Sequence, residues 1–439
     1  MQTITNNDEQ WRNSSIKALV PFLVFIIFYF GFSCLTQDFS KVPMTVAFII
    51  SSAAALILNH KEKLSKKIEI FATGMGDKDI MIMCLIFILS GAFTASANAT
   101  GGVHSAVVIA QTLIPPQFIV SGLFVISALI SLAVGTSCGT IAAIVPIAAG
   151  LSTSLGFNPA VVVGATVGGA MFGDNMSLIS DTTIASTRTQ GVEMRDKMLC
   201  NLKIVLIPAL ICALIYTLPL FTTVNQGETL TSFTIDDIIK VLPYILLLIL
   251  GVAGINVMFL LLAGTILNIS IGMSYGIYNI FDAFATVGDG TISMATTLIV
   301  AILAGGLLKM VRYNGGMSYI MEKAGKWIKD KKTCEIGICT LTGIINFFTA
   351  NNTVAIITAG PIARELADKY GVDRKRSASF LDTSSCVIQG IIPYGAQVLI
   401  ATSLSSSVNL SSFTIIKHLY YPVLMGTGLI LFVLFSKQK

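Results

Sequence analysis

The chain has 439 residues and a net charge of +5; 54 % of its residues are apolar, and only 12 % are Asp, Glu, Lys or Arg. Because a soluble protein carries about 25 % charged residues, half of that share cannot cover a water-facing surface on a chain of this length. Residues 80–173 contain no Asp, Glu, Lys or Arg, whereas one bilayer-spanning helix needs only ~20 apolar residues. The composition therefore predicts an all-α polytopic membrane protein and excludes a soluble enzyme, a secreted scaffold and a nucleic-acid-binding protein.

Apolar runs predict the membrane-crossing segments in chain order. They cover residues 16–35, 42–58, 80–97, 118–155, 159–187, 204–221, 238–250, 252–272, 292–308, 335–363, 377–408 and 418–436. The runs 118–155 and 335–363 are each long enough for one broken helix or for two helices.

The basic residues predict the orientation of the chain. Of the 28 Lys and Arg residues, 25 lie in the two termini or in four segments, which are residues 60–79, 188–203, 309–332 and 364–376. Basic residues accumulate on the cytoplasmic side of membrane proteins. We therefore expect these segments and both termini to be cytoplasmic, with the protein in the inner membrane of a prokaryote.

Short sequence matches at one offset indicate an internal duplication. "FATGMGD" at 71–77 recurs as "FATVGD" at 284–289, "TSCGT" at 136–140 matches "TANNT" at 349–353, and Pro146 matches Pro361. Segment 60–79 is rich in Lys, whereas residues 274–293 of the second copy carry no basic residue. By the positive-inside rule the copies have opposite orientations, and inverted repeats are typical of secondary transporters.

The inversion also assigns the two long runs. Segment 335–363 has basic residues on both sides, so it is expected to enter and leave the membrane from the cytoplasm as a re-entrant hairpin. By symmetry, segment 118–155 is a hairpin that enters from the opposite side. Each repeat then holds five transmembrane helices and one re-entrant hairpin, which gives ten spans in total.

This organisation divides the chain into four parts. They are a cytoplasmic N-terminal segment at 1–15, a first inverted repeat at 16–221, an extracytoplasmic linker at 222–237 and a second inverted repeat at 238–439. Broken helices are predicted at about 159–187 and 377–408.

Three carboxylates lie inside apolar runs: Asp174, Asp181 and Asp382. A charged side chain in the bilayer interior costs at least ~2.5 kcal/mol, so we expect these groups to face a wet cavity or a ligand. Gly173 and the polar residues that follow it weaken a helix, which predicts unwinding near 173–177 and, in the second repeat, a break within 382–395. On a continuous helix, Asp174 and Asp181 share one face.

Oxygen atoms at such breaks suit a hard cation such as Na⁺, and a desolvated carboxylate can hold a proton instead. The polar hairpin tips begin helices whose N-termini favour an anionic group, for example a substrate carboxylate. The alternative is that the polar tips only satisfy the turns of their own hairpins. The candidate binding residues are Asp174, Asn175, Ser177, Asp181, Thr182, Thr136, Ser137, Thr140, Asn351, Asn352, Thr353, Asp382, Thr383 and Ser384, with Asp174, Asp181 and Asp382 as Na⁺ candidates. We expect all four polar segments to meet near the bilayer midplane.

Three segments resemble the NhaC family of Na⁺/H⁺ antiporters, within the ion transporter superfamily. They are "GTSCGTIAAIVP" at 135–146, "LGFNPAVVVGA" at 155–165 and "FGDNMSLISDTT" at 172–183. The resemblance implies that Asp174 and Asp181 occupy the acidic motif of the family and that Thr136, Ser137 and Thr140 occupy its hairpin motif. The sequence departs from the family pattern at Cys138, often Trp, at Asn175, often Lys, and at Leu178, often Pro.

We therefore predict a secondary active transporter, not an enzyme, that exchanges Na⁺ for H⁺ by alternating access. The alternative is a Na⁺- or H⁺-coupled transporter or exchanger of a small carboxylate or amino acid. A channel or a membrane enzyme fits an inverted repeat poorly. No cofactor is expected beyond the transported ions, the partners are small ions and the lipid bilayer, and a homodimer is compatible with the sequence.

Overall fold

The computed structural model describes residues 15–32, 35, 42–59, 62–178, 180–218, 233–252, 255–325 and 328–436. Most of the predicted N-terminal segment and of the linker at 222–237 lies outside these residues. The described residues form helices and short connections, with no strand among them, which confirms the all-α prediction.

Ten α-helices make up the first half of the chain. They are α1 (Val20–Ile26), α2 (Met44–Ile57), α3 (Leu64–Met75), α4 (Lys78–Ala99), α5 (Gly102–Leu113), α6 (Ile119–Val134), α7 (Ser137–Leu155), α8 (Pro159–Met176), α9 (Asp181–Gln190) and α10 (Met194–Ile215). A 3₁₀ turn at Ile16–Leu19 precedes α1, and a π-helical turn at Ile27–Gly31 extends it.

The second half of the chain repeats this order. Its helices are α11 (Ile235–Val252), α12 (Val257–Ser274), α13 (Ile280–Ser293), α14 (Ala295–Tyr313), α15 (Gly316–Gly325), α16 (Lys331–Thr349), α17 (Asn352–Tyr370), α18 (Arg374–Ile391), α19 (Ala396–Leu404), α20 (Ser412–His418) and α21 (Tyr420–Phe435). Helix α11 begins inside the segment predicted as a linker, so the second half starts a few residues earlier than expected.

Helix boundaries recur at a fixed shift between the halves. A shift of 215 residues relates the start of α7 at Ser137 to the start of α17 at Asn352, and the end of α7 at Leu155 to the end of α17 at Tyr370. The left-handed residue after that helix recurs as well, with φ of 68° at Gly156 and 70° at Gly371. The described structure is therefore duplicated, in agreement with the sequence matches.

Glycine contacts join the two halves in a reciprocal way. A Cβ on Gly74 of α3 would lie 2.6 Å from the carbonyl oxygen of Gly305 on α14. A Cβ on Gly290 of α13 would lie 2.4 Å from the carbonyl oxygen of Gly91 on α4. Because small residues let helix backbones approach closely, the helix pairs α3–α14 and α13–α4, which the repeat relates to each other, cross in the same manner.

By length and composition, five helical stretches in the described part of the chain could each cross a bilayer, or seven if two sharply bent pairs count as one span each. One of these pairs is α5 and α6, which meet at 113°. Helices α5 and α13 lie in segments predicted as connections. Helix α13 forms there because Asn279 and Asp282 make a capping box at its start. The count of ten spans remains a prediction.

The second predicted hairpin is a pair of packed helices. Helices α16 and α17 are separated only by Ala350 and Asn351. The Tyr370 hydroxyl at the end of α17 donates to the Ile328 carbonyl, before the start of α16, at 2.9 Å, so the chain returns to where it entered. Helices α6 and α7 have the same arrangement in sequence, with Gly135 and Thr136 between them.

The two predicted helix breaks exist but lie later in the chain. Helix α8 continues through Gly173 and ends at Met176, because that glycine serves close packing: its Cβ would lie 2.1 Å from the Ala128 carbonyl oxygen. Helix α18 continues through Asp382 to Ile391, because the Ser384 and Ser385 hydroxyls donate to carbonyls of their own helix, at 2.5 and 2.8 Å. The breaks are at 177–180 and at 392–395.

Candidate functional site

The first polar centre surrounds the carboxylate of Asp174, which is buried in the last turn of α8. Its Oδ2 accepts hydrogen bonds from the main-chain N–H of Ser137 at 3.1 Å and from the Ser137 hydroxyl at 2.6 Å. Its Oδ1 accepts from the Ser180 hydroxyl at 2.6 Å. Ser137 begins α7 and Ser180 directly precedes α9. The N-terminal ends of two helices therefore face this carboxylate, an arrangement that attracts negative charge.

The break after α8 is held by side chains from neighbouring turns. The Thr183 hydroxyl donates to the Ser177 carbonyl at 2.7 Å. The carbonyl of Asn175 accepts from Lys197 Nζ and from Asn201 Nδ2, both at 3.0 Å. Because backbone groups freed by a helix break need new partners inside a membrane, these polar residues stabilise the break.

The second polar centre surrounds Asp382 in the middle of α18. Its fully buried carboxylate forms an ion pair with Lys197 of α10, which is also fully buried. Asn201, one turn after Lys197, donates to Asp382 Oδ2 at 3.1 Å. The hydroxyls of Ser379 and Thr383 donate to the Asn201 side-chain oxygen. This centre is therefore closed by its own basic partner.

A chain of amide side chains links the first centre to the tip of the second hairpin. Gln397 of α19 donates to the Ser137 hydroxyl at 3.0 Å. Gln389 of α18 donates to the Gln397 side-chain oxygen at 3.0 Å and to the carbonyl of Ala350 at 2.9 Å. Both hairpin tips and both helix breaks thus belong to one hydrogen-bonded network. The depth of this network in the bilayer remains a prediction.

The Cys386 thiol connects the two centres directly. It accepts from the side-chain amides of Asn175 at 3.6 Å and Asn352 at 3.5 Å, and it donates to Asp382 Oδ1 at 3.8 Å. Asn175 belongs to the first break, and Asn352 begins the second helix of the second hairpin. The thiol therefore lies where the two halves of the chain meet.

An open cavity of about 890 Å³ lies at the start of α10 and α18. Its lining is largely charged and includes Asp196, Lys203, Lys331, Asp368, Lys375 and Arg376. Here the Arg374 guanidinium lowers the pKa of Asp368, and the Asp196 carboxylate raises the pKa of Lys375. Cys200 also lines the cavity and is adjacent in sequence to Asn201, so the cavity approaches the second polar centre.

Several candidate residues from the sequence meet in these two centres. They are Asp174, Asn175, Ser137, Thr182, Asn352, Asp382 and Thr383, with Thr182 placing its hydroxyl 3.0 Å from that of Ser180. Ser177 contributes its carbonyl at the break. The first-tip helix N-terminus, which was expected to favour a substrate carboxylate, faces the Asp174 carboxylate instead.

Other candidates lie apart from these centres. Asp181 is exposed, and because the helix breaks between Asp174 and Asp181, the shared face expected for a continuous helix does not form. The Thr140 hydroxyl donates to the Thr136 carbonyl at 3.0 Å, and Asn351 caps its own helix by accepting from the Val354 N–H at 3.0 Å. Ser384 bonds back to its own helix, and Thr353 is partly buried. For these tip residues the alternative of self-satisfied turns describes the contacts.

Sequence reasoning missed Lys197 and Asn201. Lys197 was counted among the cytoplasmic basic residues, but it is fully buried and paired with Asp382. The available signal was the four-residue spacing, which places both side chains on one helix face at the start of a largely apolar helix. Within the described residues, no cluster of three or more His, Cys, Asp or Glu side chains could hold a metal ion.

Comparison with known proteins identifies the family. Residues 8–223 and 229–437 match the model of the Na⁺/H⁺ antiporter family. The Na⁺/H⁺ antiporter NhaC of Bacillus subtilis is 24 % identical over 388 residues, which cover 81 % of this chain and 84 % of that protein. The malate-2H⁺/Na⁺-lactate antiporter of the same organism is 25 % identical over 409 residues, covering 85 % and 87 %.

A more distant relative has a different named substrate. The arginine/ornithine antiporter ArcD of Halobacterium salinarum is 23 % identical over 319 residues, which cover 64 % of this chain and 65 % of that protein. These relatives are antiporters rather than enzymes, and the family match extends over nearly the whole chain. The chain therefore belongs to the Na⁺/H⁺ antiporter family, as its resemblance to the NhaC sequences predicted.

Proposed function

We propose that the protein exchanges Na⁺ for H⁺ across the membrane and that Asp174 is the group that holds either ion. The observation that carries this proposal is the position of Asp174: a buried carboxylate at a helix break, surrounded by the hydroxyls of Ser137, Ser180 and Thr182. One carboxylate with several neutral oxygens suits a hard monovalent cation. The same carboxylate can bind a proton when the cation leaves.

The exchange follows from competition for one carboxylate. When Na⁺ binds, the carboxylate and nearby hydroxyl oxygens replace part of the ion's hydration shell. When Na⁺ leaves on the other side, a proton takes its place, and the centre returns without a net charge. Since the proposed carrier moves only when the charge of Asp174 is neutralised, Na⁺ and H⁺ move in opposite directions.

For alternating access we propose two inverted repeats, each with five spans and one re-entrant hairpin, with both termini cytoplasmic. The constant shift of helix boundaries and the reciprocal glycine contacts support a pseudo-twofold relation between the halves. Two related halves of this kind can open to opposite sides by exchanging conformations. The charged cavity near Asp196 and Lys375 lies at segments that the basic residues place in the cytoplasm.

Coupling to a small carboxylate or amino acid is the second candidate function. Four buried amide side chains, Asn346, Asn352, Gln389 and Gln397, lie at the second tip or on the second broken helix, more polar groups than a bare cation needs. Two relatives are named for organic substrates, malate and lactate in one and arginine and ornithine in the other. Adding these compounds to the transport assay distinguishes the two candidates.

Purified protein in liposomes with an internal pH dye tests the proposal. A Na⁺ gradient is expected to drive proton movement in the wild type and none in Asp174→Asn, because the amide can carry neither ion as a carboxylate does. Asp289→Asn, the same chemical change at an exposed position on α13, is the matched control and retains exchange. Normal exchange by a folded Asp174→Asn variant would overturn the assignment, and proton movement only with an added carboxylate or amino acid would favour the second candidate.

A further inference from the structure

Lys197 has a full set of partners for a charged ammonium group. It is fully buried, and Nζ donates to the Asn175 carbonyl at 3.0 Å, to the Thr183 hydroxyl at 2.8 Å and to Asp382 Oδ2. A lysine ammonium has three N–H donors, so each donor has one oxygen acceptor. A neutral amine would leave one of these three oxygens without a donor, so the contacts match the charged form.

We propose that Lys197 is a resident cation that neutralises Asp382 throughout the transport cycle. Asp382, predicted from the sequence as a Na⁺ candidate, is then a positioning residue, and one Na⁺ or one H⁺ travels on Asp174 in each half-cycle. The exchange is therefore one for one and electroneutral. This inference rests on the proposed Na⁺/H⁺ exchange and specifies its stoichiometry.

The charges around the two acids support this division of roles. In the described part of the chain, the ion pair of Asp382 is with Lys197, and its other close titratable neighbour is the Cys386 thiol. Asp174 makes its contacts with hydroxyls and a main-chain N–H, and no Lys or Arg pairs with it among the described residues. One carboxylate thus has a built-in counter-ion, and the other requires a mobile one.

Lys197 also braces the first helix break. The carbonyl that it binds belongs to Asn175, the residue after Asp174 and the position where the NhaC family often has Lys. Asn201 binds both that carbonyl and Asp382 Oδ2, so one face of α10 ties the break in the first half to α18 in the second. A Na⁺ ion that displaced Lys197 would remove a donor from the Asn175 carbonyl and from Thr183 at the same time.

The direct test is the equilibrium point of exchange in wild-type liposomes. A fixed pH gradient is imposed, the membrane potential is set with K⁺ and valinomycin, and the Na⁺ gradient at zero net flux is measured. For one-for-one exchange the potential cancels, so the zero-flux Na⁺ ratio is expected to be the same at both signs of the potential. One net charge per cycle would shift that ratio by about 50-fold for ~100 mV, and such a shift would overturn the inference.

Charge-swap variants provide a second test with a folding control. Lys197→Met leaves an unpaired buried carboxylate and Asp382→Asn an unpaired buried ammonium, so each single variant is expected to lose about 100-fold or more in exchange rate. The double variant removes both charges and should recover at least about tenfold over Lys197→Met. A double variant that elutes as folded protein but is no faster than Lys197→Met would contradict the resident-cation role.

The two failures are distinguishable. If wild-type liposomes show no Na⁺-dependent proton movement, the proposed function fails. If they show exchange whose zero-flux point follows the membrane potential, the function stands and the resident-cation inference alone fails.

Discussion

The two halves of the site are built on the same helix framework but carry different chemical groups. The shift of 215 residues that relates the helix boundaries places Gln389 at the position of Asp174, Asn352 at that of Ser137 and Gln397 at that of Thr182. The first half thus has a carboxylate with hydroxyl partners where the second has amides. Asp382 corresponds to Val167, so it is not the repeat partner of Asp174.

The difference teaches how a duplicated fold can keep one ion site. Asp174 accepts hydrogen bonds from the hairpin tip of its own half through Ser137, whereas Gln389 donates to the tip of its half at the Ala350 carbonyl. An amide binds no proton near neutral pH, so the second half completes the network without a second exchangeable charge. The extra acid in that half, Asp382, has Lys197 as its partner.

Packing around the two centres differs in the same systematic way. In the first half Gly173 of α8 lies against the backbone of Ala128 on α6. In the second half the corresponding residues are Ile388 and Gly343, and a Cβ on Gly343 would lie 3.1 Å from the Ile388 side chain. The small residue lies on the broken helix in one half and on the hairpin in the other.

The largest effect on stability is expected at the base of the second hairpin. Glu335 and Arg376 form a buried ion pair there, whereas the corresponding residues of the first half are the buried Val120 and Val161. Arg376→Val leaves Glu335 as an unpaired buried charge and should destabilise the protein by about 3–5 kcal/mol. The double variant Glu335→Val and Arg376→Val should recover most of that loss, as measured by thermal unfolding in detergent. Equal stability of the single and double variants would show that the ion pair is not the reason.

The next effect concerns the two hairpin tips. Ser137→Ala removes a hydroxyl donor to the Asp174 carboxylate, and a hydrogen bond to a charged group contributes about 1.5–3 kcal/mol. Na⁺ affinity should therefore fall by about 10- to 100-fold. Asn352→Ala at the corresponding position removes a weak bond to the Cys386 thiol and a bond with Asn346, so its loss should be smaller. The Na⁺ concentration dependence of exchange in liposomes measures both, and a larger loss in Asn352→Ala would reverse the assignment of the two tips.

A third effect is steric. Gly173→Ala places a methyl group about where the Ala128 carbonyl oxygen lies, and overpacking of a close contact costs about 1–3 kcal/mol. Because α8 must move away, Asp174 should lose its distance to Ser137 and exchange should slow. Gly343→Ala meets a side chain at 3.1 Å instead of backbone and is the milder counterpart. Thermal unfolding and exchange rates together check the order.

The smallest effect is expected at Asp181. This carboxylate is exposed, and changes at exposed positions usually alter stability by less than about 0.5 kcal/mol. Asp181→Asn should therefore change the exchange rate far less than Asp174→Asn does. Equal losses in the two variants would return Asp181 to the ion site and would contradict the separation of the two acids by the helix break.

Composition, hydropathy and the duplicated motifs were sufficient to predict a helical membrane protein, the two broken helices and the positions of both hairpin tips. The break positions were set too early, because Gly173 and Ser384 read as helix breakers in the sequence while their actual partners, the Ala128 backbone and the Phe380 carbonyl, come from packing and from the helix itself. Local sequence does not encode such partners.

The site was predictable where its residues were polar within apolar runs, as for Asp174 and Asp382. Lys197 was not recognised, because a basic residue near the end of an apolar run reads as a cytoplasmic charge. Its role depends on α10 packing beside α18, a contact between residues 185 positions apart. The pairing of Asp174 with Gln389 likewise became visible only when helix boundaries fixed the repeat shift at 215 residues.

The central claim is that Na⁺ and H⁺ compete for Asp174. Its most direct measurement is the number of protons released when Na⁺ is added to the purified protein in weakly buffered detergent solution, at a pH where the site is protonated. The account predicts about one proton per Na⁺ bound in the wild type, and none in Asp174→Asn. Proton release of the same size from the folded Asp174→Asn variant would contradict it.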